Sequence, residues 1–113
     1  IGYDVAGPAD APPIVFLHGT RLTRGMWAPQ VARMSDTYRT IALDLPGHGL
    51  SDHRGPHGSY NIWDDLPDLV WLSAELGLAR YALLGHSRGA AIATLLAAIE
   101  PGAVSRLARE AGL

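Results

Sequence analysis

The stretch YALLGHSRGAAIA, residues 81–93, decides how this chain is read. Tyr81–Leu84 is a short apolar run, Gly85 stops it, and a Gly/Ala-rich helix begins directly after Ser87. Gly85-His86-Ser87-Arg88-Gly89 fits the pattern G-x-S-x-G. Between a buried strand and a helix, that pattern sets a serine on a sharp turn. Its hydroxyl then stands above the end of a sheet, and the amides that open the helix face any negative charge developing beside it. Glycines flank such a turn because a Cβ at either point would meet the neighbouring strand or helix. The plain alternative is a helix cap, since serine is a favoured N-cap residue.

Two upstream runs repeat the strand pattern. PPIVFLHG (12–19) and YRTIALDLPGHG (38–49) carry continuous apolar segments bounded by Pro and Gly, the second strand-like over Thr40–Leu45. Continuous rather than alternating apolarity marks strands buried on both faces, as in a parallel sheet. Helical spacing lies between them. In MWAPQVARMS (26–35), Trp27, Val31 and Met34 share one face. In DDLPDLVWLSAELG (64–77), Leu66, Leu69, Val70, Ser73 and Leu76 recur at helical intervals, with Gly77 as the stop. Pro67 requires that helix either to start near Asp65 or to kink. RGAAIATLLAAI (88–99) is the last helix. Alternation of strands and helices with long connections implies an α/β domain with parallel strands and crossover helices.

Composition narrows the function classes. The chain has 113 residues, enough for one domain with a modest core. Its net charge of −2, with nine Arg and no Lys, gives no drive toward nucleic acid or an anionic membrane. There is no Cys, which excludes disulfides, thiolate metal sites and cysteine nucleophiles. No stretch approaches a membrane span and no signal peptide opens the sequence, so a cytoplasmic location is expected. His53 and His57 have metal-pair spacing, but Gly55 and Pro56 between them preclude a regular helix, and no metal or cofactor is expected.

Taken together and in order, PPIVFLHG, MWAPQV, YRTIALDLPGHGLSD and YALLGHSRGAAIA resemble the N-terminal half of the α/β-hydrolase superfamily, nearest its lactonase and esterase-like members. The resemblance covers Tyr3 to about Leu107. It implies a partial α/β-hydrolase fold in three layers, with parallel strands in the family's order 4-3-5, as a single truncated core over 1–113. Tyr3–Val5 would be a remnant of an earlier strand. Ser87 would be the nucleophile in an elbow made by Gly85, His86 and Gly89. The backbone amides of Thr20 and Arg88 would form the oxyanion hole, and His18 and Gly19 would shape its loop. Asp44, Gly47, His48, Gly49, Ser51 and Asp52 would match a structural turn after the next strand.

GHSRGA is also similar to epoxide hydrolases and dehalogenases, which have Asp where this chain has Ser87. A serine with a histidine base suits acyl carbonyls, so an ester, lactone or thioester is the expected substrate class. The family's triad runs Ser, then acid, then His. Residues 88–113 contain Glu100 and Glu110 but neither Asp nor His. The acid and base are therefore expected in a C-terminal half missing from this sequence, with His48 or His57 a weaker stand-in base.

A different class of reading is a non-catalytic domain. Tyr81–Leu84 would then be a bare sheet edge, open to pairing with a second copy. Trp27 and Trp63 are candidates for a pocket or for the core.

Overall fold

Apolar runs bounded by Pro and Gly become the middle of a sheet because only there are both of their faces covered. The computed structural model describes residues 2–19, 23–45 and 62–110, the last segment with side chains over 65–108. The elements are β1 (Tyr3–Ala6), β2 (Pro13–Leu17), a 3-10 turn (Arg24–Trp27), α1 (Ala28–Met34), β3 (Arg39–Leu43), α2 (Ile62–Glu75), β4 (Tyr81–His86), α3 (Arg88–Ile99) and β5 (Val104–Glu110). They form one five-stranded sheet in the order β1-β3-β2-β4-β5. The central trio β3-β2-β4 is parallel and is the expected 4-3-5 arrangement. β1 joins it antiparallel, Tyr3 beside Leu43.

β1 is the strand expected over Tyr3–Val5. The expectation that Tyr81–Leu84 is a bare edge is corrected: a fifth strand covers it. Residues 104–110 pair parallel with β4 along its length, Leu84 beside Ala108. The short run VSRLARE had no apolar stretch to announce a strand. It is recruited by the backbone donors and acceptors that β4 presents on that side. The ground for self-pairing through β4 is therefore removed. Among the described residues β5 is the outer strand, and its exposed Arg106 is the kind of charge that discourages edge pairing.

Alternating side chains make the layers. Val15, Leu17, Ile41, Leu43 and Leu83 point into one core with Leu66, Leu69 and Leu72 of α2 and Ile92 and Leu96 of α3. Ile14, Phe16 and Ala42 point the other way, under Trp27, Val31 and Met34. Trp27 is thus a core residue, its ring 5.2 Å from that of Phe16. Each such large side chain contributes roughly 2 kcal/mol of burial. Pro67 lies inside α2, not in its first turn, because the helix begins at Ile62. Gly77 ends the helix at φ +69, the left-handed stop that glycine adopts without a Cβ penalty.

The tightest packing is backbone on backbone. A Cβ on Gly89 would lie 2.7 Å from the His18 carbonyl oxygen and closer still to Leu17, and one on Gly85 would lie 2.7 Å from the Ala90 nitrogen. α3 therefore rests directly on β2 and β4, and neither wall is a side chain that could swing aside. Gly85→Ala and Gly89→Ala are expected to cost about 3 kcal/mol each, the upper end of overpacking. Gly102→Ala, with nothing within 4 Å of its added methyl, should stay within about 0.5 kcal/mol. Urea unfolding of the three variants checks this.

Candidate active site

Parallel register brings the candidate residues together. Leu17 lies beside Leu43 on one side and Gly85 on the other. The residues that follow therefore stand at one level at the end of the sheet: His18 and Asp44 beside His86, the last residue of β4, then Gly19, Leu45 and Ser87. Carboxyl ends of parallel strands are where open α/β sheets form ligand sites.

Ser87 joins β4 to α3 at φ 54, ψ −113, and is the one non-glycine residue with positive φ among those described. That conformation is the first corner of a type II′ turn, normally occupied by glycine. With a side chain it costs about 1–3 kcal/mol and persists only where the surroundings enforce it. The Ser87 carbonyl accepts from the N–H of Ala90 at 2.9 Å and of Ala91 at 3.2 Å, but its hydroxyl makes no capping bond. The residue is exposed. So Ser87 occupies the cap position while leaving the work of a cap undone. Gly19 meets this corner: a Cβ there would lie 3.2 Å from Ser87 Cβ and 3.3 Å from His86 Cδ2.

His18 is fully buried. Its Nε2 accepts from the Leu45 N–H at 2.9 Å, and its Nδ1 lies 2.7 Å from the Gly19 carbonyl oxygen. Accepting at Nε2 leaves the proton on Nδ1, which then donates to Gly19. A ring engaged on both sides acts as a strut between the ends of β2 and β3.

A second tie crosses the same interval. Arg24 donates its backbone N–H to Asp44 Oδ1 at 2.7 Å, its Nη1 to Asp44 Oδ2, and its Nε to Asp4 Oδ2 at 2.8 Å. The Arg24 guanidinium is held above its ordinary pKa by the Asp4 hydrogen bond and by the Asp44 and Asp4 charges, against the effect of burial. Adjacent residues Asp44 and Leu45 thus hold both flanks of the segment between Gly19 and Arg24.

Behind the serine, Arg88 Nη2 donates to Asp65 Oδ2 at 3.0 Å, linking α3 to α2. Sequence reading missed Arg24 and Asp65 as site residues. The available signal was a carboxylate on an apolar stripe: Asp65 falls in line with Leu69 and Leu72, and Asp44 ends an apolar strand. A buried carboxylate demands a cation.

Thr20, Gly47, His48, Gly49, Ser51, Asp52, His53 and His57, together with the Trp63 side chain, lie outside the described residues. Among the described residues, no group of three metal-ligating side chains gathers and no helix is long and apolar enough to cross a membrane.

Comparison with known proteins gives a consistent result. A family model described as alpha/beta hydrolase fold matches residues 12–112. The chain is 35% identical over 104 residues to 2-(acetamidomethylene)succinate hydrolase of Mesorhizobium japonicum, covering 92% of this chain and 37% of that protein. It is 32% identical over 105 residues to epoxide hydrolase 4 of Mus musculus, covering 93% and 29%. The crystal structure of a membrane phospholipase A, a bacterial virulence factor, superposes with a TM-score of 0.93 at 30% identity, covering 98% of this chain and 36% of that one. The chain thus spans about a third of the length of these relatives.

The two ion pairs of Arg24 differ in burial. Asp44→Ala, which takes a buried carboxylate from both the backbone N–H and the guanidinium of Arg24 and leaves that guanidinium only the exposed Asp4, is expected to cost about 2 kcal/mol. Asp4→Ala removes a carboxylate that is 69% exposed and should cost under about 1 kcal/mol. Unfolding midpoints of the two variants in urea provide the comparison.

Proposed function

The chain belongs to the alpha/beta hydrolase fold family, and on that premise we propose that it carries the serine nucleophile of a hydrolase acting on carboxylic esters, lactones or related acyl bonds. The observation that carries the reading is the strained backbone of Ser87, at φ 54 and ψ −113, packed against Gly19. A fold that keeps a side chain in a glycine conformation at its sheet end is holding that side chain out for use.

In the proposed reaction Ser87 Oγ attacks the acyl carbon while a histidine takes its proton. The carbonyl oxygen becomes an oxyanion, received by the backbone N–H groups of Thr20 and Arg88. The C–O bond to the alcohol then breaks, and the histidine returns its proton to the leaving oxygen. Water, deprotonated by the same histidine, attacks the acyl-enzyme and releases the acid and Ser87. Each oxyanion donor is worth about 3 kcal/mol of barrier. A serine rather than an aspartate at this corner favours acyl carbonyls over the epoxide carbons named for the mouse relative.

The proposal takes the triad acid and histidine from polypeptide outside residues 1–113. Residues 88–113 hold no Asp and no His, and His18 is engaged on both ring nitrogens. Without that base these 113 residues alone should turn over little substrate, retaining only what an oxyanion hole supplies.

Ser87→Ala is expected to abolish labelling of the full protein by a fluorophosphonate probe; labelling that persists, or that maps to another residue, overturns the assignment. Ser87→Gly should likewise abolish labelling yet raise stability by about 1 kcal/mol, because glycine adopts this corner without strain. Probe labelling and thermal unfolding of one sample read both effects.

A further inference from the structure

Asp65 is an ionisable group in an apolar position. It lies on α2 in the stripe that continues with Leu69 and Leu72, and its side chain is 1% exposed. Burying a carboxylate is costly even when it is paired, and an apolar residue in its place is commonly as stable or more so. Core stability therefore does not account for it. Its ion-pair partner does suggest a role: Arg88, the residue after Ser87 and the first of α3.

We propose that Asp65 is a positioning residue for the nucleophile elbow. Acting through the Arg88 guanidinium, it holds the peptide unit between Ser87 and Arg88, whose N–H is the oxyanion donor in the mechanism above. The inference rests on that mechanism.

The strain at Ser87 needs restraint from both sides. On the strand side, the backbone contacts at Gly85 and Gly89 leave no room. On the helix side, relaxing φ or ψ of Ser87 rotates the 87–88 peptide and moves the Arg88 Cα. That motion is opposed by the Nη2–Oδ2 bond of 3.0 Å to a carboxylate fixed in the core. Charge-assisted pairs of planar groups are directional, so this one constrains orientation as well as distance. The pair also neutralises two charges next to the site of oxyanion formation. Neither a stray cation nor a bare carboxylate is left there to distort the field that the amides provide.

The test uses the full protein and separates the maximal rate of serine phosphonylation, in which Ser87 Oγ attacks phosphorus and fluoride leaves, from probe affinity. With a fluorophosphonate probe, Asp65→Asn is expected to lower kinact about tenfold while KI stays within about twofold, since a donor moved out of place loses part of what its removal would cost. Arg88→Lys, which keeps the charge and part of the reach, should retain more kinact than Arg88→Met. A purely structural pair would lower the unfolding temperature and leave kinact unchanged. Asp65→Asn that folds and is phosphonylated at the unaltered rate, or an effect confined to KI, overturns the proposal. If Asp65→Asn does not fold, equal kinact in Arg88→Lys and Arg88→Met overturns it. Failure of the unsubstituted protein to label at Ser87 instead overturns the nucleophile assignment, and this inference with it.

Discussion

The close approach of α3 to β2 is the constraint on which the carboxyl end of this sheet depends. Gly89 lies against the carbonyls of Leu17 and His18, and Gly85 lies against the backbone of Gly89 and Ala90. Because these are main-chain atoms, the distance cannot be relaxed by choosing another rotamer. The helix must start where it does, and the residue before it must turn sharply. Ser87 absorbs that turn at φ 54. A serine exposed at a strained corner is thus a consequence of how near two backbones stand.

Three ties stiffen the carboxyl end of the sheet, each from a different element. His18 spans from β2 to Leu45 after β3, Arg24 spans from the 3-10 turn to Asp44, and Asp65 reaches from α2 to Arg88. All three place polar groups where an apolar side chain would be expected. Natural proteins accept such a cost chiefly where geometry matters more than stability, because a hydrogen bond fixes direction while apolar contact does not. The concentration of buried polar groups at one end of the sheet, over a core otherwise built of Leu, Ile and Val, agrees with a site at that end.

The legibility of the fold followed the strength of the apolar signal. Ile14–Leu17, Ile41–Leu43 and Tyr81–Leu84 are continuous runs, and each is a central parallel strand. α3 matches its expected span of 88–99, because a Gly/Ala/Leu helix ending at Glu-Pro-Gly leaves little choice. Leu72 escaped the reading of α2 yet is buried in its core face. β5 escaped altogether, because Val104–Glu110 alternates polar and apolar residues too weakly to stand out. An outer strand takes its structure from the neighbour it pairs with.

The order of residues is enough to identify an α/β chain with a serine between a buried strand and a small-residue helix, and it carries the family resemblance. Those properties are local: they depend on runs, spacings and turn residues adjacent in the chain. Which carboxylate meets which arginine, the inner position of Tyr81–Leu84 and the role of His18 as a strut emerge from the folded arrangement. Each of these pairs residues far apart in sequence, and strand register together with helix packing, which local propensity does not encode, determines which of them meet.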